Sequence, residues 1–142
     1  MVSNEFVAEN CACFHLRSAA RVVTRAYDRA LAPTGLRITQ FTLLVAASME
    51  TGASLTTLAE HMAMDRTTLS RNLRPLEKRG LLTVSQEGYR RERTIHLTPE
   101  GTQLLERAKR CWEGAQQEIV ERLGEERWQR LKSELGDLVA VG

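Results

Sequence analysis

Asp65-Arg66-Thr67-Thr68-Leu69-Ser70-Arg71-Asn72-Leu73-Arg74-Pro75-Leu76-Glu77-Lys78-Arg79-Gly80 is the most strongly patterned segment of this 142-residue chain. Leu69, Leu73 and Leu76 recur at helical spacing and make one buried stripe. Rotated by 100° per residue, Thr67, Arg71, Arg74 and Lys78 fall on the opposite face. Asp65 is a good N-cap, because its carboxylate accepts the orphan N–H groups of the first turn. Gly80 is a suitable C′ residue. Pro75 removes the hydrogen bond to the Arg71 carbonyl, so the spacing predicts a bend there. The stretch is a helix with an apolar face and a basic one.

Working outward, Thr56 or Ser54 can cap a short helix reaching about Met62, with Ala63-Met64 as the turn into the basic helix. Downstream, Leu81–Ser85 and Arg93–Leu97 have strand composition, and residues 86–92 form a glycine-containing hairpin tip. Thr98-Pro99-Glu100 reads as cap, N1 proline and first-turn acid of a helix. Its apolar stripe, from Leu104 to Leu123, ends at Gly124. A last helix from about Glu125 sets Trp128, Leu131, Leu135 and Leu138 on a coiled-coil-like seam. Upstream, a first helix is expected over about Cys11–Leu31, with Leu16, Ala20, Val23, Tyr27 and Leu31 on one stripe. Ala32-Pro33-Thr34-Gly35 ends it, and Thr39 can cap a second helix through Gln40–Ser48.

The net charge is only +2, but it is unevenly spread. Residues 1–37 carry +2, residues 38–65 carry −3, residues 66–98 carry +5 and residues 99–142 carry −2. A basic stretch of this kind suits a nucleic-acid-contacting module. Of the 20 basic residues 17 are Arg, the side chain suited to bidentate contacts with bases and phosphates. Composition is that of an ordinary globular chain, and the sequence holds neither a membrane-length apolar run nor a signal-peptide pattern at its start. A cytoplasmic location is expected. Three cysteines, an odd number, argue against a disulfide framework. A phosphate-binding glycine loop, a zinc motif and a Ser/His/Asp set are all missing, so a non-enzymatic role without cofactor or metal is expected.

Helix, tight turn, basic helix and arginine-tipped hairpin make a winged helix-turn-helix. Its basic helix can enter the major groove of duplex DNA, where Arg reads guanine and Thr meets the thymine methyl. The expected DNA-contacting residues are Asp65, Arg66, Thr67, Thr68, Arg71, Arg74 and Lys78, with Arg90 and Arg91 of the hairpin reaching the adjoining minor groove. Residues 65–73, Leu76-Glu77-Lys78-Arg79-Gly80-Leu81 and Leu97-Thr98-Pro99-Glu100-Gly101 together resemble MarR-type transcriptional regulators. The order of elements matches that family from about residue 11 to residue 140.

The resemblance implies a homodimer with interlocked terminal helices, bound to a pseudo-palindromic operator on double-stranded DNA, usually as a repressor. The family's wing commonly has an Asp two positions before its DNA-contacting Arg; here Tyr89 precedes Arg91. The expected architecture is mostly α with a small antiparallel β-hairpin wing, in a single domain over 1–142. Residues 1–36 and 100–142 supply dimerisation helices, and 37–99 form the winged DNA-binding lobe. The long apolar stripe of the 99–123 helix, with the apolar first and last helices, exceeds what a small winged-helix core needs, which independently argues for a dimer.

Three regulatory readings stay open. Cys13-Phe14 with Tyr27 partly resembles the organic-hydroperoxide-sensing (OhrR) branch, which implies a peroxidatic Cys13, a hydrogen-bonding Tyr27 and a resolving role for Cys111 of a partner. Against it, Arg17 and Ile38 stand where that branch has tyrosines, and Cys13 and Cys111 also fit as small core residues. Cys11-x-Cys13-x-His15 cannot converge on a metal while helical. Arg17 and Arg21 could instead meet a small aromatic or carboxylate effector, or make structural salt bridges. Two other functional classes are a winged-helix module binding protein or RNA, and a thiol-dependent enzyme using Cys13.

Overall fold

A computed structural model describes residues 1–49, 52, 54–85 and 93–142. The described chain is helical apart from one small hairpin, in the order α1 (Asn4–Asn10), α2 (Ala12–Leu31), a 3-10 turn (Ala32–Thr34), α3 (Ile38–Met49), α4 (Leu55–His61), α5 (Arg66–Lys78), β1 (Leu82–Val84), β2 (Ile95–Leu97), α6 (Pro99–Leu123) and α7 (Glu125–Val141).

The N-terminal helix differs from the sequence expectation. Helical structure begins at Asn4, capped by Ser3, whose Oγ accepts the Phe6 N–H at 3.1 Å. Cys11 is an extended residue (φ −69°, ψ 106°) that ends α1 and begins α2, rather than the first residue of one continuous helix. The His15 side chain spans this break, its Nε2 donating to the Glu9 carbonyl at 2.8 Å. The α2 stripe is buried only at its C-terminal end: Tyr27 and Leu31 are buried, whereas Leu16, Ala20 and Val23 are exposed.

Helix α3 starts one residue before Thr39, so Thr39 is not its cap. Its first N–H, that of Ile38, donates to Asp28 Oδ1 of α2 at 2.8 Å. A carboxylate ten residues upstream thus satisfies an orphan donor at the start of α3. Ser54, not Thr56, caps α4 by accepting the Thr57 N–H at 3.1 Å.

Strands β1 and β2 pair antiparallel, with Leu82 opposite Leu97, Thr83 opposite His96 and Val84 opposite Ile95. A bridge between Ser54 and Thr94, with Leu55 N–H donating to the Arg93 carbonyl at 2.9 Å, ties the hairpin to the start of α4. This attachment has no sequence periodicity behind it.

The core lies where α3, α4, α5, the hairpin and the first half of α6 meet. Leu43, Leu44, Leu58, Leu69, Leu73, Leu76, Leu82, Ile95 and Leu105 are almost wholly excluded from solvent. Burying one such side chain stabilises by about 1.5–3 kcal/mol. Gly101 is where α6 crosses the residue just before β1: a Cβ there would lie 1.9 Å from the Leu81 carbonyl oxygen. Thr98 closes this junction, with its N–H donating to Leu81 O and its hydroxyl to Gly80 O, while Oγ1 accepts the Gly101 N–H.

The remaining helices have little core of their own. Neither α1 nor α7 contains a buried residue, and beyond Ala108 only Ala115 of α6 is buried. Phe14, Leu16, Val22, Val23, Leu131 and Leu138 are exposed apolar side chains on this frame. Among the described residues, no single helix is long and apolar enough to cross a membrane.

Candidate nucleic-acid interface

The turn between α4 and α5 brings Asp65 to the α5 N-terminus. Its two oxygens accept the Thr68 backbone N–H and the Thr68 hydroxyl, each at 2.8 Å. These bonds favour the ionised carboxyl and hold its pKa below the ordinary carboxylate value. Asp65 is therefore a cap that orients the helix, and it also occupies the Thr68 hydroxyl proton. The turn itself contains Ala63 in the left-handed region (φ 49°), the one described non-glycine residue with positive φ.

From this start, α5 runs unbroken through Pro75 to Lys78. Leu69, Leu73 and Leu76 are buried, whereas Arg66, Thr67, Arg71, Arg74 and Lys78 are exposed and Thr68 is half-buried. The two faces thus divide as the sequence spacing requires. Arg79 leaves the basic face: its Nη1 donates to the Gly35 carbonyl at 3.0 Å, tying the end of α5 to the turn after α2. Glu77 is turned toward the hairpin, its Oε2 accepting the Val84 N–H at 3.1 Å. Arg90 and Arg91, with Tyr89, lie outside the described residues.

Sequence reasoning passed over two residues beside this face. Ser70 and Arg93 line a groove of about 180 Å³ between α5 and the base of the hairpin, together with Arg74. Arg93 could have been noticed from its place two residues before the second strand; Ser70 carries no sequence signal of this kind.

The sensing candidates are dispersed within one chain. Cys13 is exposed, whereas Cys111 is half-buried and packs against the core. Cys13 and Tyr27 lie fourteen residues apart on one helix, about 21 Å at 1.5 Å per residue, and cannot bond to each other. Instead the Tyr27 hydroxyl donates to Gln116 Oε1 of α6. Trp112 of α6 stacks between Tyr27 and Phe41, with ring centroids at 6.5 and 6.2 Å. Burial pushes the Tyr27 phenol pKa up. Tyr27 thus joins α2 to α6, a role its stripe position suggested but its pairing with Cys13 did not.

Arg17 and Arg21 are exposed on α2 and line none of the grooves described. Two openings lie along α6: one of about 470 Å³ between Trp112 and Trp128, and one of about 440 Å³ against Ala26 and Ala30 of α2. Among the described residues, no three His, Cys, Asp or Glu side chains are gathered as a metal site, even though the turn at Cys11 is unwound.

Residues 36–88, the lobe that carries α3 to α5 and β1, match the MarR family. No curated protein matches the sequence at a significant level. Among solved structures, the chain is similar to MosR, a transcriptional regulator of M. tuberculosis in complex with DNA. The two are 36% identical over 93% of this chain and 96% of that one, with a TM-score of 0.85. It is also similar to CouR, a transcriptional repressor bound to a 23-mer DNA duplex, at 25% identity over 97% and 98% of the two chains and a TM-score of 0.83. CouR from Rhodococcus jostii bound to p-coumaroyl-CoA is 26% identical over 92% and 93%, with a TM-score of 0.79.

Proposed function

This chain belongs to the MarR family of transcriptional regulators, and on that premise we propose that it is a homodimeric repressor that reads a pseudo-palindromic operator in double-stranded DNA. The observation that carries the reading is the face of α5: a capped helix, anchored by Leu69, Leu73 and Leu76, that presents Thr67, Arg71, Arg74 and Lys78 to solvent. Arg offers paired donors to guanine O6 and N7, and a threonine methyl packs on the thymine methyl. Arg66, Arg74 and Lys78 supply positive charge to the backbone, with Asp65 and Thr68 fixing the helix start. Arg90 and Arg91 serve the minor groove from the wing.

Dimerisation uses residues 1–36 and 100–142, whose exposed apolar side chains need a partner. The role is regulatory rather than enzymatic, and the protein works beside its DNA in the cytoplasm. Purified protein should select, from random duplexes, an inverted repeat with half-sites about 10 base pairs apart, one helical turn. Arg71→Ala should lose on the order of 1–3 kcal/mol on the selected site. Recovery of sequences without any consensus would reject specific reading.

Release from DNA is through a small aromatic or carboxylate effector, as supported by the ligand-bound state of CouR. Arg17 and Arg21 are its candidate anion partners. A second signal, oxidation of Cys13 with Cys111 of a partner resolving it, is favoured by one observation, the exposure of Cys13. Peroxide should then release operator from the wild type and not from Cys13→Ser; wild-type binding that survives peroxide eliminates this signal.

A further inference from the structure

The groove between α5 and the base of the hairpin has a form that its neighbours do not share. Its floor is apolar, made by Leu55, Leu73 and Val84, and its rim carries Ser70, Arg74 and Arg93. Arg93 is set in place by its backbone, whose carbonyl accepts the Leu55 N–H at 2.9 Å. The next residue is held as well, the Thr94 N–H donating to Ser85 Oγ at 2.9 Å. Among the described residues, neither Arg74 nor Arg93 forms an ion pair. Glu77, the acid that also lines the groove, has one oxygen committed to the Val84 N–H. Two cationic side chains and a hydroxyl therefore share a half-open cavity of about 180 Å³ without a carboxylate paired to either cation.

The location says what such a cavity takes. A recognition helix lies in the major groove and a wing in the adjoining minor groove. The object that separates the two grooves is one sugar–phosphate strand, and it must pass between α5 and the hairpin. We infer that Ser70, Arg74 and Arg93 form a seat for a backbone phosphate of that strand, with Arg93 as a DNA-contacting residue at the wing's base. This inference rests on the DNA-binding reading above. Such a contact carries no sequence information; it sets how deeply α5 sits and where the wing enters. Arg93 and Arg74 each replace condensed counterions at the phosphate, whereas Ser70 adds a neutral hydrogen bond.

The test needs no operator, because backbone contacts are indifferent to sequence. Binding to a fluorescein-labelled, mixed-sequence 30-base-pair duplex would be titrated by anisotropy from 50 to 200 mM salt. Arg93→Gln removes one cation from each of the dimer's two seats. It should lower the slope of log K against log salt by about 1.8, so that its affinity falls about twelvefold less than the wild type's across that range. Arg93→Lys should restore the slope, and Ser70→Ala should weaken binding with the slope unchanged. A merely structural Arg93 would not produce this split between charge and hydrogen bond. An unchanged slope in Arg93→Gln, with the wild type binding normally, overturns the seat alone. A wild type that binds no duplex at 50 mM salt overturns both the seat and the DNA-binding reading beneath it.

Discussion

Tyr27 shows how one side chain can be assigned by its neighbours. Its ring closes a three-ring stack with Trp112 and Phe41, and its hydroxyl reaches Gln116, so four side chains hold α2, α3 and α6 together. Tyr27→Phe should cost about 0.5–1.5 kcal/mol at neutral pH, the usual net worth of one hydrogen bond. The pH dependence follows from burial, which raises the phenol pKa above its ordinary 10.0. The folded protein therefore prefers the neutral phenol. That contribution is fully present below about pH 10 and is lost as pH rises through the folded-state value. Urea melts between pH 8 and 11 should show a steeper alkaline loss in the wild type than in Tyr27→Phe. Parallel curves would remove Tyr27 from the account.

At the scale of elements, junctions decide more than helices do. Gly101 lets α6 cross directly over the Leu81 carbonyl, and Thr98 fastens the crossing with bonds to both Gly80 and Leu81. A methyl group at position 101 must push backbone away from backbone. Gly101→Ala should therefore destabilise by about 1–3 kcal/mol or more, seen as a lower urea midpoint at constant m-value. A midpoint equal to wild type would mean the crossing is looser than described.

The same contrast governs what could be read from residue order. The faces of α5 follow from Leu69, Leu73 and Leu76 against Thr67, Arg71 and Arg74, because helical spacing is a local property. Asp65 as a cap is equally local. The Asp28 cap on α3 and the Ser54–Thr94 bridge are tertiary, joining residues that no periodicity connects. Helix α2 begins at Ala12, close to the Cys11 start expected from its stripe, whereas the short α1 lies ahead of that stripe and is set by a local cap at Ser3. Within the site, exposed Arg71 and Arg74 announce themselves. Ser70 and Arg93 meet only once the hairpin folds back onto α5.

For the whole molecule, the distribution of burial is lopsided. One lobe owns nearly all the core, and the helices around it expose Phe14, Leu16, Val22, Val23, Leu131 and Leu138. Apolar side chains in such numbers favour association with a second copy. Sedimentation should give twice the 16.0 kDa of one chain. A double change, Leu131→Glu with Leu138→Glu, should shift the protein toward monomer and weaken operator binding far more than binding of mixed-sequence duplex. Dimers that persist in this variant would place the contact elsewhere on the frame. The modest net charge belongs to this scale too, since an acidic segment flanks each side of the basic one and offsets its +5.

The ring stack has one more consequence, an optical one. The chain has two tryptophans, and Trp112 is the one packed between Tyr27 and Phe41, while Trp128 sits on the helix beyond. Indole emission responds to the polarity and packing of its surroundings, so sliding α2 against α6 would change the Trp112 signal at its source. With Trp128 replaced by Phe, the protein becomes its own unlabelled gauge of the strain passing between the outer frame and the lobe that grips the duplex.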